Sequence, residues 1–238
     1  MKLLRTIRLD PSDTFIFDKA AEPGEWAVSG AFMFAHVDPE VASAFSSGLT
    51  AFEQLGATVE EVQLDLSGAR DVLDVIWRAG FAEIVLRLPS GQLQLVEPKL
   101  LELAVSAAEI SGVTLQHAIQ ERNRISQQMQ DFHREFDLLV TPTVPIPPFG
   151  AGLLTPDEQK FPQWYDWTPF TWPFNLTRQP AASCPCGMTG DGLPIGLQIV
   201  GPLYREDLVL RASRAFEEAR PFRRYEPRRS TEPFRIAK

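Results

Sequence analysis

The chain has 238 residues, 44% of them hydrophobic and 23% charged, a balance typical of a folded globular protein rather than a disordered one. A formal net charge of −8 argues against nucleic acid or an anionic membrane surface as the main partner. No apolar run approaches the roughly 18 residues of a membrane span. The N-terminus also has no apolar segment before its first aspartate, so we expect a cytoplasmic protein.

The first 34 residues differ in pattern from the rest of the chain. Apolar and polar residues alternate over short runs at 6–9 and 14–17, and a turn signal follows around Pro23. This pattern predicts two or three small strands. We therefore treat residues 1–34 as a short N-terminal segment of β structure.

A helix is predicted after Asp38, which is a favourable N-cap followed by a proline at the first helical position. The apolar residues of this helix fall on one face, and Gly56 ends it. The alternation at residues 58–66 predicts a strand. Two or three helices follow between residues 68 and 136, and the clearest starts at Thr114 with a long apolar stripe.

The second half of the chain is dominated by short strands. Residues 137–141 have the pattern of a buried strand, and a rigid proline-rich loop and an irregular aromatic stretch follow it. Two strands at 181–188 and 194–200, joined by the turn Thr-Gly-Asp-Gly-Leu, predict a hairpin. An amphipathic helix at 206–219 comes next, and residues 221–238 form a basic tail that we expect to be solvated.

The two cysteines, Cys184 and Cys186, alternate in a predicted strand and so face the same side of it. A zinc site needs three or four ligands. The three histidines, His36, His117 and His133, lie at no metal-ligand spacing from the pair. We therefore expect both cysteines to be buried as small apolar side chains, and we expect no metal and no cofactor.

Three stretches carry a resemblance to a known family: FDLLVTPT, FTWPFNLTRQPAASCPCGMTGDGLPIGLQIVGP and REDLVLRASRAFEEA. Together they resemble the closing third of the amidase signature family, whose members hydrolyse carboxylic amides. The segment AHVDPEV and the segment LTAFEQLGATVEEVQLDL resemble the region just past the middle of those enzymes. The resemblance covers residues 35–220, and we expect residues 1–34 to be a segment outside the family. It implies an α/β protein, the C-terminal part of the amidase signature fold, with a mixed β-sheet covered by helices.

The resemblance also implies a site. In that fold the aromatic residues and the Asn-Leu-Thr turn lie near the substrate funnel, which gives as substrate-binding candidates Phe170, Trp172, Asn175 and Thr177. The same aromatic residues would serve equally well as core or loop anchors. The small residues at 181–183 would allow a helix or loop to approach closely. Arg178 stands where the family usually has glycine, so the turn geometry or the pocket entrance is expected to differ.

The chemistry that the resemblance implies is a Ser-Ser-Lys triad, with a glycine- and serine-rich loop that supplies the oxyanion hole. This chain has no Gly-Gly pair, and none of its lysines has a matching context: Lys2, Lys19, Lys99, Lys160 and Lys238. The sequence Ser46-Ser47-Gly48 is superficially similar to the nucleophile loop, but it falls inside the first predicted helix. We therefore expect no catalytic residue in this chain.

Two functions remain open. The chain is either the C-terminal portion of an amidase, inactive alone, or a non-catalytic ligand-binding or interaction protein. The first would act on a small-molecule amide once a separate catalytic half is supplied. Without that half, the strands at 138–140 and 195–200 should be partly uncovered, which predicts a homo-oligomer or a partner chain. The alternative is that residues 1–34 supply substitute strands.

Overall fold

A computed structural model of the protein describes residues 5–8, 37–61, 64–66 and 68–222. Its strands are β1 (Arg5–Arg8), β2 (Thr58–Glu60), β3 (Leu138–Pro142), β4 (Ala181–Met188) and β5 (Pro194–Val200). Its helices are α1 (Pro39–Gln54), α2 (Ala69–Val85), α3 (Ser90–Leu93), α4 (Pro98–Ser106), α5 (Gly112–Glu135), α6 (Trp172–Thr177) and α7 (Glu206–Ala219), with a 3₁₀ turn at Ala107–Glu109. In this part of the chain no helix is both long and apolar enough to cross a membrane.

The strands form one five-stranded sheet in the order β2-β1-β3-β5-β4. The short strand β1 lies inside the sheet, where Thr6 pairs with Glu60 of β2 on one side and with Leu139 of β3 on the other. The predicted α/β class is confirmed. A mixed sheet was expected, and each strand pair within the described residues is antiparallel.

One face of the sheet is covered by α1 and α7, which both pack on β4 and β5. The two helices also meet each other, because Phe52 of α1 stacks on Phe216 of α7 with ring centroids 5.0 Å apart. The helices α2, α4, α5 and α6 form a second group, in which α2 contacts each of the other three. The main hydrophobic core contains residues of the sheet, of α1 and α7 on one side, and of α2, α5 and α6.

Most of the predicted helices and the hairpin are confirmed. Helix α1 begins after Asp38, whose carboxylate accepts a hydrogen bond of 2.8 Å from the Glu40 backbone N–H. The long helix expected from Thr114 begins two residues earlier, at Gly112, because Ser111 is the cap and accepts from the Thr114 N–H. The strands β4 and β5 and the helix α7 have the predicted bounds.

Two predicted elements differ from the structure. The strand expected over 58–66 is β2, which ends at Glu60, since its partner β1 has only four residues to pair with it. The segment with the Asn-Leu-Thr turn is not irregular throughout, because six of its residues form α6, with Pro173 in the first turn. Of the strands predicted in residues 1–34, β1 is described, and the others lie outside the described residues.

The expectation that β3 and β5 are partly uncovered is wrong. The side chains of Leu138, Leu139 and Val140 are fully buried, and those of Leu197, Ile199 and Val200 are equally buried. The physical reason is that β1 pairs along the free edge of β3, while α1 and α7 cover one face of β5. An N-terminal strand therefore occupies the position that the alternative assigned to it.

Candidate substrate-pocket wall

Hydroxyl and amide side chains line one face of the sheet where β3, β5 and β4 lie side by side. Thr141 is paired with Gln198, and Gln198 is paired with Ser183. Directly paired residues point to the same face, and alternate residues of a strand share a face, so Thr143 belongs with them. We call Thr141, Thr143, Ser183 and Gln198 the polar row. The opposite face carries apolar side chains and contacts α1 and α7.

Gln198 is the buried centre of the polar row. Its side-chain Nε2 donates to Thr141 Oγ1 at 3.0 Å and to the backbone oxygen of Phe170 at 2.5 Å. Thr141 Oγ1 in turn donates to the Pro142 carbonyl at 2.8 Å. A buried amide needs such partners, because leaving one of its donors unsatisfied costs about 1–3 kcal/mol. Gln198 therefore anchors the aromatic segment to the sheet at Phe170.

The outer half of the polar row depends on a glycine. Thr143 Oγ1 and Ser183 Oγ lie 2.7 Å apart, a hydrogen bond that passes over Gly196 of β5. A Cβ at position 196 would lie 2.6 Å from Thr143 Oγ1 and 2.8 Å from Ser183 Oγ, closer than real Cβ contacts allow. Glycine at this position leaves room for the two hydroxyls. Ser183 is exposed, so this end of the row faces solvent.

The structure separates the four candidate residues into different environments. Phe170 and Trp172 are buried, with 2% and 5% of their surface exposed, and the Asn175 side chain is exposed on α6. Thr177 is buried, and its Oγ1 lies 3.0 Å from the Pro173 carbonyl oxygen and 2.7 Å from Gln179 Oε1. The hydroxyl of Thr177 therefore donates its one proton to acceptors of this chain. Its role in substrate binding stays a prediction.

Trp172 has one unusual feature. Its indole Nε1 is buried and has no hydrogen-bond partner among the residues that the structure describes. A buried tryptophan N–H usually finds an acceptor. The indole of Trp167, in the same aromatic segment, has the same property, and its ring meets Phe149 edge-on at 5.0 Å. Two buried donors without acceptors among the described residues are therefore concentrated in the segment that precedes and begins α6.

The comparison with protein families now decides what this arrangement belongs to. The family model described as Amidase matches residues 9–210, which is most of the chain. The chain belongs to the amidase family. The match begins before residue 35 and ends at residue 210, in the first half of α7.

Individual relatives agree with this amidase assignment. An acylamidase from Rhodococcus erythropolis is 34% identical over 199 residues, which cover 79% of this chain and 40% of that protein. A glutamyl-tRNA(Gln) amidotransferase subunit from Myxococcus xanthus is 29% identical over 243 residues, covering 86% of this chain and 45% of that one. The chain thus spans less than half the length of these two relatives.

Solved amidase structures have the same fold. The structure of 6-aminohexanoate cyclic dimer hydrolase with its substrate superposes with a TM-score of 0.69 at 25% identity, over 90% of this chain and 51% of that one. The corresponding glutamyl-tRNA(Gln) amidotransferase subunit from Thermotoga maritima superposes with a TM-score of 0.65 at 26% identity, over 81% of this chain and 41% of the other.

The groups that resemble amidase catalytic residues in type lie apart from the polar row. Ser46 and Ser47 are exposed on α1, which covers the opposite face of the sheet. Lys99 is held by Glu158 at 2.8 Å, and Lys160 lies 3.8 Å from Asp157. Both of these lysines lie at the surface, and the partner of each is a carboxylate. The expectation that this chain carries no catalytic residue stays a prediction.

The cysteines are buried within this amidase fold. Cys184 and Cys186 are free and buried on the same side of β4, as the alternation predicted. Burial raises the pKa of both thiols, that of Cys186 to about 11, so the reactive thiolate is scarce at neutral pH. Within the described residues no cluster of three or more metal-ligating side chains is found.

Sequence reasoning missed the polar row and the contacts of α2. Gln198 was a visible signal, since it is the one amide in the otherwise apolar strand Pro194–Val200. A buried polar residue in a central strand needs a partner, and that partner proved to be the loop before α6. The contacts between α2 and the same loop join residues about ninety positions apart, and no local pattern reports them.

Proposed function

We propose that this chain supplies the scaffold and part of the substrate-pocket wall of an amidase that hydrolyses the C–N bond of carboxylic amides. The observation that carries the proposal is the bond from Gln198 to the Phe170 carbonyl. It ties the aromatic segment to a polar sheet face within a fold shared with known amide hydrolases. In this proposal Phe170 and Trp172 form the wall, Thr177 fixes the shape of α6, and Asn175 lies at the rim.

The chain is proposed to be inactive alone. A serine nucleophile needs an adjacent base, and the described lysines are engaged in surface ion pairs instead. The nucleophile and its base would come from a second polypeptide that carries the remaining part of the amidase fold. A partner chain is therefore part of the proposal, together with a small-molecule amide as substrate. The two reduced, buried cysteines favour the cytoplasm as the compartment.

The test uses the purified chain alone and the chain co-expressed with the portion of the Rhodococcus erythropolis acylamidase that lies outside the matched region. A simple acyl anilide serves as substrate, and a fluorophosphonate probe reports any activated serine. We expect no hydrolysis and no labelling with the chain alone. With the complementing polypeptide we expect a complex, hydrolysis, and labelling confined to that polypeptide.

A pair of glutamine variants ties the activity to the proposed wall. Gln198→Leu removes the anchor of Phe170, whereas Gln159→Leu changes an exposed side chain of the same type. The first should lower the kcat/KM of the complemented enzyme about tenfold or more, because a buried hydrogen bond is lost. The second should leave kcat/KM unchanged. Stoichiometric labelling of a serine in the chain alone would refute the proposed inactivity. A complex without hydrolysis would favour a non-catalytic binding role.

A further inference from the structure

The aromatic segment is held at a second point, by one face of α2. Tyr165 is almost fully buried, and its hydroxyl donates to Asp74 Oδ1 at 2.5 Å. The other carboxylate oxygen of Asp74 pairs with Arg78 at 3.2 Å. Arg78 also donates to the carbonyl of Ser106 at the end of α4. The acceptor of the Tyr165 hydroxyl is thus itself held by Arg78, which in turn binds the end of α4.

Further contacts surround this hydrogen bond on the same face of α2. Arg70 pairs with Asp166 at 2.8 Å, and its guanidinium lies 5.3 Å from the centre of the Tyr165 ring. Trp77 stacks on Trp164 with ring centroids 5.2 Å apart and an angle of 23°. The Tyr165 ring meets both indoles edge-on, at 5.5 Å from Trp77 and 5.6 Å from Trp164. Three consecutive residues, 164 to 166, therefore contact α2.

The Tyr165 hydroxyl stays protonated in this environment. Burial, and then the hydrogen bond to Asp74, raise the pKa of Tyr165 well above its ordinary value. The hydroxyl therefore remains a donor across the physiological pH range. The role of the Tyr165 hydroxyl therefore follows from the geometry of its hydrogen bond to Asp74 and not from a change of its protonation state.

A continuous series of turns connects Tyr165 to α6. The Tyr165 carbonyl accepts from both the backbone N–H and the Oγ1 of Thr168, at 3.2 Å and 3.0 Å. The Thr168 carbonyl accepts in the same way from Thr171, at 3.1 Å and 3.0 Å. The Thr171 carbonyl then accepts from the Phe174 N–H inside α6. Each of the first two turns is closed by two hydrogen bonds, and together the turns link the backbone of Tyr165 to the start of α6.

We propose that Asp74 and Tyr165 are positioning residues for the pocket wall. Their hydrogen bond, transmitted through Thr168 and Thr171, fixes where the Trp172 indole lies. Gln198 fixes the same segment from the sheet at Phe170, so the wall is fixed at two independent points. An effect of Asp74 and Tyr165 on catalysis rests on the proposed function. Their effect on the position of Trp172 does not.

The positioning is tested on the chain alone by the indole N–H signals of its five tryptophans in a ¹H–¹⁵N correlation spectrum. Trp172→Phe assigns the Trp172 signal. Tyr165→Phe removes one hydroxyl and should shift that signal. The matched control is Tyr204→Phe, because Tyr204 is 88% exposed, and it should shift nothing in this segment. Thr168→Val removes one of the two hydrogen bonds that close the first turn and should move Trp172 while leaving the stacked Trp164 in place.

Two substitutions of Asp74 separate positioning from general stability. Asp74→Asn keeps an oxygen that can accept from Tyr165 and should retain the Trp172 signal near its original position. Asp74→Leu removes the acceptor and should reproduce the shift of Tyr165→Phe. If Tyr165→Phe does not fold, Thr168→Val and Asp74→Leu decide the question. A Trp172 signal that is unmoved in every folded variant that breaks the connection overturns the inference.

Activity gives a second, separable outcome. In the complemented enzyme Tyr165→Phe should raise KM about tenfold with little change in kcat, as the loss of a hydrogen bond to a charged group would suggest. A fall in kcat without a change in KM would contradict the positioning of the pocket wall by Tyr165. If the unsubstituted complex hydrolyses nothing, the proposed function fails, while the indole signals still decide whether Asp74 and Tyr165 position Trp172.

Discussion

Arg178 is held in a backbone conformation that side chains seldom adopt. It follows α6 as the C-cap with φ 65° and ψ 27°, in the left-handed region that favours glycine. Its N–H donates to the Phe174 carbonyl and closes the helix end, so the conformation is fixed by the cap. A residue other than glycine costs roughly 1 kcal/mol or more in this region. Arginine thus adopts here a conformation that glycine favours, and the expected difference in the turn or at the pocket entrance stays a prediction.

Arg178→Gly should therefore stabilise the chain by about 1 kcal/mol, because the strain of the left-handed residue is relieved. The measurement is the urea midpoint at constant m-value. Arg178→Ala is the matched control, since it removes the same side chain but keeps a Cβ, and it should show no comparable gain. Equal stabilisation by both variants would locate the effect in the charge of Arg178 instead.

His133 is a partly buried neutral group near the end of α5. Its ring N–H donates from Nδ1 to the Phe136 carbonyl at 3.0 Å, and Nε2 is buried without a partner among the described residues. Burial lowers the pKa of His133 to about 4, and the bond to Phe136 opposes this only in part. The unfolded chain has the ordinary pKa of about 6.5. Below pH 6.5 the unfolded state therefore binds more protons, and stability falls as the pH falls towards 4.

This linkage predicts a loss of about 2 kcal/mol in the free energy of unfolding between pH 7 and pH 5, attributable to His133 alone. His133→Gln should remove that part of the pH dependence. His117→Gln is the control, because it replaces an exposed histidine of the same helix. Urea denaturation at the two pH values gives the comparison. An unchanged dependence in His133→Gln would show that His133 is solvated.

At the scale of elements, the close approach of α1 to β4 depends on a glycine. A Cβ on Gly187 would lie 2.7 Å from the Cβ of Ala44, so the helix could not keep its position. The small residues at 181–183 were expected to permit such an approach, but Ala181 and Ser183 are exposed instead. The contact lies nearer the hairpin turn, where α1 covers the buried cysteines.

Gly187→Ala should destabilise the chain by about 1–3 kcal/mol, the usual cost of overpacking a tight contact. Gly80→Ala should instead stabilise the chain. Gly80 lies inside α2 with open space around its Cβ position, so alanine should add about 1 kcal/mol through helix propensity. Thermal or urea unfolding of the pair tests both. A neutral Gly187→Ala would mean that α1 shifts on the sheet at little cost.

Local pattern predicted those elements whose own residues determine them. The helices α1, α5 and α7 and the hairpin of β4 and β5 follow from caps, apolar stripes and a glycine-containing turn, each within a few residues. The length of β2 was wrong because it depends on the length of a distant partner. The polar row, likewise, exists only once β3, β5 and β4 have been brought together in register. The resemblance named Phe170 and Trp172, but the residues that hold them were beyond any local signal.

At the scale of the whole molecule, the sheet separates two tasks. The face beneath α1 and α7 is apolar and stabilises the fold. The other face carries the polar row and the segment that α2 and Gln198 hold in place. Ser183, at the outer end of the row, is exposed.

The position of β1 has a consequence for the order in which the protein folds. Thr6 must meet Leu139, at the far end of α5, before the middle of the sheet is complete. Pairings between distant residues form slowly, because the entropy of closing a long loop is lost before any contact is gained. The hairpin of β4 and β5 has no such delay. During synthesis β1 emerges well before its partner β3, yet among the described strands it is one of the last to be incorporated, and until then one edge of β3 stays open to pairing with other chains.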